Sequence, residues 1–142
     1  MRLSKKSQYA LRASVALALK KPPQRGLSAT ELAERTGVPN KFLEAILSEL
    51  RKSGLVATRR GPDGGYWLSH HPSEITIGAI LKPMEGSLSL VGQGPSPSDP
   101  LLAVVASALE EIDRAVDEVI ERITLEELCR RVEKERPSDY VI

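Results

Sequence analysis

A mainly α chain with one small β-hairpin is what this sequence predicts, and three observations carry the prediction. Two helix starts and stops lie close together in residues 28–54, marked by capping residues and glycines. Only two short runs, Leu55-Val56-Ala57-Thr58 and Tyr66-Trp67-Leu68, carry the β-branched, aromatic and apolar residues of strands, and Gly61-Pro62-Asp63-Gly64-Gly65 between them supplies turn chemistry. Apolar residues then recur at alternating steps of three and four through residues 102–123, the spacing of one long helix.

In chain order, the first helix spans about residues 4–20, with Leu11, Val15 and Leu19 four residues apart and Ala10, Ala13, Ala16 and Ala18 permitting close approach. It stops before Pro22-Pro23. Arg2, Lys5 and Lys6 lead into it and would add phosphate contacts if that helix end, whose dipole favours anions, faced a duplex; the plainer reading is a solvated basic end. A second helix opens at Ser28 with Glu31 three residues on, the capping-box spacing, and Gly37 ends it. A third begins near Pro39, tolerated in a first turn, and runs to Lys52 with Phe42, Leu43, Ile46, Leu47 and Leu50 on one face. Gly54 closes it. Helix, tight glycine-containing turn, helix and hairpin is the order of a winged helix-turn-helix.

The third helix leaves Asn40, Lys41, Glu44, Ser48, Arg51 and Lys52 off its apolar face. Its N-terminal residues would meet base edges, whereas Arg51 and Lys52 lie where phosphates are the target. A carboxylate facing a polyanion costs energy unless it accepts a hydrogen bond, most naturally from a cytosine amino group. For Glu44 the competing reading is a surface pair with Lys41. In the hairpin, Arg59 and Arg60 sit at the base of a slim glycine-rich tip that suits a narrow groove whose negative potential attracts arginine. An ordinary surface hairpin with solvated charges is the alternative.

Downstream, Ile75-Thr76-Ile77-Gly78-Ala79-Ile80-Leu81 reads as a short helix that Pro83 should kink or end. Residues 86–100 hold three Gly, three Pro and four Ser, and read as a loop or mobile linker. Asp99-Pro100 is a cap and a first-turn proline, and Leu102, Val105, Leu109, Ile112, Val116, Val119 and Ile123 then form three heptads of an a/d seam. At 1.5 Å per residue, a helix over residues 101–123 extends about 35 Å, longer than a domain of this size needs to cover its core. The seam therefore seeks a partner; self-association is the favoured reading and packing on the chain's own body the alternative. A last helix starts at Thr124, with Glu127 completing a capping box, carries Leu125, Leu128, Cys129 and Val132, and stops before Pro137. Cys129 is the only thiol, and on an apolar stripe a free cysteine acts as a small buried hydrophobe; a redox switch is the competing reading.

These elements divide the chain into a winged helix-turn-helix DNA-binding domain at 1–86, a flexible loop at 87–100, and a dimerisation helix with a C-terminal helix at 101–142. Charge follows the same division. Residues 1–86 hold 14 Lys+Arg against 7 Asp+Glu, a balance of +7, and residues 87–142 hold 6 against 12, a balance of −6. The formal total of +1 thus hides a basic half suited to a nucleic acid and an acidic half with another task. The 142 residues, 41% hydrophobic, can bury one core. One cysteine excludes an intramolecular disulfide framework, and no apolar run approaches a membrane span. Gln8, Tyr9 and Arg12 interrupt any signal core after the basic N-terminus, so a cytoplasmic location without a membrane partner is expected.

Met1-Arg2-Leu3-Ser4, Tyr9-Ala10-Leu11-Arg12, Leu50-Arg51-Lys52-Ser53-Gly54-Leu55-Val56, Arg60-Gly61-Pro62-Asp63-Gly64-Gly65-Tyr66, Ile75-Thr76-Ile77-Gly78 and Glu85-Gly86 are the runs that carry a family likeness. Over about residues 1–135 the chain resembles the Rrf-two family of bacterial winged-helix transcriptional regulators. The resemblance implies a homodimer that binds a palindromic operator, usually as a repressor, with the long helix crossing to the partner subunit. It implies further that Pro39, Asn40, Lys41 and Glu44 read the major groove and that Arg60-Gly61 probes the minor groove. Cluster-binding members carry three cysteines in the loop before the long helix; residues 86–100 hold none, and iron-sulfur ligation requires several thiolates. His70-His71 makes no metal site, since neighbouring side chains after a strand point apart. The chain is therefore similar to the cluster-free type, with no cofactor, in which the signal comes from an effector protein or a small molecule.

Two classes of function follow. One is a regulator of transcription that binds double-stranded DNA; the other is a protein-interaction module whose winged helix and exposed helix bind polypeptides without an operator. The basic half and Arg59-Arg60 favour the first. An enzyme is not expected, because the polar residues include no nucleophile with a nearby base, no phosphate loop and no metal cluster.

Overall fold

The computed structural model describes residues 2–19, 26–62, 64–92, 94–95 and 97–136. Along them run α1 (Lys5–Leu19), α2 (Ala29–Thr36), α3 (Asn40–Lys52), β1 (Val56–Arg59), β2 (Gly65–Leu68), a single 3-10 turn (Pro72–Glu74), α4 (Ile77–Glu85), α5 (Pro100–Arg122) and α6 (Leu125–Glu135). Pro22, Pro23, the tip residue Asp63 and Pro137 fall outside the described residues, and α6 ends at Glu135, ahead of Pro137 as expected.

Small side chains make α1 the hub. Its buried face is Ser7, Ala10, Ala13, Ser14 and Leu17, and α2, α3, α4 and α6 all pack on it. Interiors are close-packed, so several helices can converge on one only where its side chains are short. The Ser14 hydroxyl is satisfied within the helix, donating to the Ala10 carbonyl at 2.8 Å. The Leu11, Val15 and Leu19 stripe that the spacing singles out is not the fully buried face; these three stay half-buried, with Leu11 and Val15 packed against the margin of the core.

Leu32, Val38, Leu43, Ile46, Leu47, Leu50, Ile80 and Leu125 fill the core between α1 and the other elements, each burial contributing about 1.5–3 kcal/mol. The α2 boundaries follow the sequence: the Ser28 hydroxyl accepts the Glu31 N–H at 3.1 Å, and Gly37 ends the helix at φ +74°. After α3, β1 and β2 pair antiparallel with Val56 opposite Leu68 and Arg59 opposite Gly65. Each strand is one residue displaced or extended from its expected bounds, which places Arg59 in a strand.

Two boundaries differ from expectation. α4 begins at Ile77 because the Thr76 hydroxyl accepts the Ala79 N–H at 3.1 Å and caps it there. Pro83 does not end the helix, which runs on to Glu85. Its missing N–H falls in the last turn, where the loss is a single bond. α5 starts under the Asp99 cap and lies against α4, where the Lys82 ammonium meets Asp117 at 2.8 Å and Glu121 at 2.9 Å. α6 then returns to α1 and delivers Leu125 to the core. No helix among the described residues is long and apolar enough to cross a membrane.

Candidate nucleic-acid interface

α3 presents an open first turn. Pro39 stands at its N-cap and makes no side-chain cap hydrogen bond, unlike Ser28, Thr76, Asp99 and Thr124 at the other helix starts. Uncapped N–H groups at a helix start attract anions. Asn40, Lys41, Glu44, Ser48, Arg51 and Lys52 are all exposed, as the helical spacing anticipates. Among the described residues Glu44 has no ion-pair partner. Lys41 is turned elsewhere, its ammonium 4.9 Å from the centre of the Phe42 ring.

Phe42 departs from the expected apolar face. It is 44% exposed while Leu43, Ile46, Leu47 and Leu50 are buried. At about 100° per residue it lies on the flank of that stripe, where it meets Tyr9 of α1 with ring centres 6.0 Å apart. The Arg12 guanidinium lies 5.5 Å from the Tyr9 ring and donates to the Thr36 carbonyl at 3.4 Å, close to the end of α2. Lys41, Phe42, Tyr9 and Arg12 thus form a ladder that ties α1 and the end of α2 to the start of α3. The sequence gives Tyr9 and Arg12 no link to α3 because nothing local pairs residues 9 and 42; only helix packing does.

Arg2 and Lys5 are exposed at the start of α1, Arg2 just before it and Lys5 as its first residue. Lys6 is engaged with Glu49 of α3 at 2.7 Å, which brings the first turn of α1 against the part of α3 that ends in Arg51 and Lys52. The α1 helix end itself is already occupied by a carboxylate: Glu85 Oε1 accepts the Ser4 N–H at 2.8 Å and its hydroxyl at 2.9 Å. Hydrogen bonding from Ser7 and Ser4 and the charge of Lys6 hold the Glu85 carboxyl below its ordinary range. The dipole of α1 is thus spent on Glu85, and Arg2 and Lys5 bring only their charge.

The wing is pinned to the helix-turn-helix by main chain. Leu27 and Tyr66 exchange backbone hydrogen bonds of 3.1 and 2.8 Å, adding a short third line beside β2. The contact requires glycine: Gly65 has φ +130°, and a Cβ there would stand 2.6 Å from the Gly26 carbonyl carbon. At the tip the Gly64 N–H donates to the Gly61 carbonyl at 2.9 Å, closing a turn on which Arg60, Gly61 and Pro62 are exposed. Arg59 lies back over Trp67, 5.0 Å from the ring centre.

α5 has no buried residue along its length. On the seam, Leu102, Val105, Ile112 and Val119 are exposed and Leu109, Val116 and Ile123 half-buried, so the chain's own body does not cover it. In the segment leading to α5, Ser89 and Leu90 are held by Asp113, which accepts the Ser89 hydroxyl and the Leu90 N–H, each at 2.9 Å. The side chains there are hydroxyl and aliphatic, with no thiol. Cys129 lies half-buried on α6, and burial followed by the charge of Glu133 pushes its thiol pKa up. His71 bonds Ser73 at 2.7 Å, and its Nδ1 is 3.9 Å from Glu126. No group of three or more His, Cys, Asp and Glu side chains among the described residues could hold a metal.

This architecture has known counterparts. Residues 3–131 match the sequence profile of the Rrf2 family, described as iron-dependent transcriptional regulators. The HTH-type transcriptional regulator IscR of Serratia proteamaculans is 42% identical over 89 residues, 62% of this chain and 53% of that protein, so the match spans about half of that relative. Among solved structures, T. potens IscR superposes with a TM-score of 0.80 at 31% identity, covering 99% of this chain and 94% of that one. CymR (YrzC), the global cysteine regulator of B. subtilis, superposes with a TM-score of 0.72 at 30% identity, covering 92% and 98%. A winged helix-turn-helix carrying a long helix after its wing, matched in sequence over most of its length, places this chain in the Rrf2 family of transcriptional regulators.

Proposed function

We propose that this regulator binds double-stranded DNA as a homodimer on an inverted-repeat operator, acts as a repressor, and does so without an iron-sulfur cluster. The observation that carries the reading is the start of α3, where an uncapped helix end, Asn40, Lys41 and Glu44, which has no ion-pair partner among the described residues, are exposed together. In this reading Pro39, Asn40, Lys41 and Glu44 enter the major groove, Arg51, Arg2 and Lys5 meet phosphates, and Arg60-Gly61 enters the minor groove. Residues 1–86 form the DNA-binding unit, and the α5 seam joins two copies through Leu102, Val105, Leu109, Ile112, Val116, Val119 and Ile123.

Iron enters the family's description, yet the donor set here does not fit a cluster. Residues 86–100 lack cysteine, and Cys129 is the only thiol of the chain. The signal on this reading is an effector protein or a small molecule.

Selection of bound duplexes from a random oligonucleotide pool by the purified chain tests the function. A palindromic motif is expected, bound more tightly than its scrambled counterpart at about 150 mM salt. Equal affinity for selected and scrambled duplexes would overturn it.

A further inference from the structure

A cleft of about 590 Å³ lies between the end of α4, the segment 86–89 and the middle of α5. That is the size of a small-molecule site. No residue of α3 or of the wing lines it. Its aliphatic lining is Leu88, Val116 and Ile120, and its charged lining is Lys82, Asp113, Arg114, Asp117 and Glu118.

These charges divide by what they already hold. Lys82 is gripped by Asp117 at 2.8 Å and Glu121 at 2.9 Å, and Asp113 holds the Ser89 hydroxyl and the Leu90 N–H. Those bonds build the walls of the cleft. Arg114 and Glu118 are exposed and have no ion pair or hydrogen bond among the described residues. Four positions apart, they are neighbours on one side of α5, with Cβ atoms about 5–6 Å from each other. One free cation and one free anion thus stand together at an aliphatic cleft. A lone carboxylate entering there would meet Glu118, and a lone amine would meet Arg114; a zwitterion satisfies both.

We propose that the cleft binds an apolar α-amino acid, its carboxylate on Arg114, its ammonium on Glu118 and its side chain against Leu88, Val116 and Ile120. The sensing role rests on the DNA-binding reading above and gives the small-molecule signal a place and a chemical class. The cleft lies where a bound molecule can act. The Lys82–Asp117 contact that joins α4 to α5 is in its wall, and Val116 belongs both to its lining and to the α5 seam. A ligand there biases the arrangement of α5 against α4 by as much as it prefers one arrangement over another.

Calorimetry on the full chain tests the site, with L-leucine, L-methionine and L-phenylalanine as probes. At least one is expected to saturate at one molecule per chain. Its counterparts lacking the carboxylate or the ammonium should bind about tenfold more weakly, as should the amino acid to Arg114→Gln or Glu118→Gln. Glu111→Gln, at an exposed carboxylate outside the cleft, should bind as wild type does. No saturable binding by any of the three, or equal binding of the one-headed counterparts, overturns the site. Operator affinity at saturating amino acid should change several-fold in wild type and not in Glu118→Gln. No change in wild type ends the sensing role and leaves the DNA reading standing. A duplex selection that yields no motif removes the DNA reading, while calorimetry still decides the cleft.

Discussion

Arg59 and Trp67 stack across the wing, with the guanidinium carbon 5.0 Å from the centre of the indole ring. The register explains the contact. Arg59 pairs with Gly65 and Ala57 with Trp67, so Arg59 and Trp67 are diagonal neighbours on one face of the hairpin. The charge of Arg59 is kept on the hairpin itself, whereas Arg60 stands exposed at the turn.

The two arginines are therefore expected to separate on substitution. Arg60→Ala should weaken binding to the selected operator and to other duplexes alike, by about 1–3 kcal/mol. Arg59→Ala should cost less affinity and instead remove a stacking contact worth about 0.5–1 kcal/mol to the wing. Anisotropy titrations beside thermal melts of both variants check this; equal affinity losses would mean that Arg59 leaves its stack to reach DNA.

Glu44→Ala is expected to relax base preference at one position in each half-site while changing overall affinity less. Repeating the duplex selection with the variant measures it. An unchanged preference profile would remove Glu44 from the reading surface.

Ile112 is 46% exposed in the single chain, so a charge there does not enter the core of the monomer. Ile112→Glu should leave the circular dichroism spectrum intact and halve the sedimentation mass, because the same charge buried in a seam would be unpaired. A wild-type mass that survives the substitution would show that the copies meet elsewhere.

Glu85 supplies a pH dependence. Its carboxyl is held below the ordinary value by hydrogen bonds from Ser7 and Ser4, so its stabilising effect is complete above the usual carboxylate range and is lost as pH falls through the lowered value. Glu85→Gln should lower Tm at neutral pH, and the difference from wild type should shrink below about pH 4. A difference independent of pH would assign the effect to shape instead of charge.

Burial raises the Cys129 thiol pKa, which leaves less thiolate at neutral pH. Alkylation by iodoacetamide should be slower than for a cysteine in a short peptide, and peroxide should affect operator binding of wild type and Cys129→Ser equally. Loss of binding in wild type alone would make the thiol a sensor. Protein purified without oxygen should also be colourless, as the missing loop thiols require.

The elements that are locally encoded were legible in the sequence. Ser28, Gly37, Asp99 and Thr124 cap as their spacing indicates, and the 102–123 repeat is one helix whose seam the chain leaves open. What was not legible depends on segments far apart. Glu85 reaches Ser4 across 81 positions, Lys6 reaches Glu49, and Arg12 reaches Thr36, and no periodicity reports such pairs. Phe42 and the Leu11 stripe show the complementary difficulty: an apolar residue at helical spacing identifies a face without saying whether that face turns to the core. α1 buries alanine and serine because four helices crowd onto it, and its leucine at position 11 is half-buried at the margin of the core.

The joint between α4 and the α5–α6 turn is made of main chain. The Ile77 N–H donates to the Ile123 carbonyl at 2.9 Å, and the Leu125 N–H donates to the Ile75 carbonyl at 2.9 Å. Such a clasp is indifferent to side-chain identity; only a residue lacking an N–H cuts it. It sets the angle at which the long helix leaves the body and, in the proposed homodimer, the distance between the two reading heads. On the proposed reading, the spacing of a two-part recognition sequence is in that sense a length written into the backbone, and a proline at Ile77 would change the ruler while leaving the letters it measures untouched.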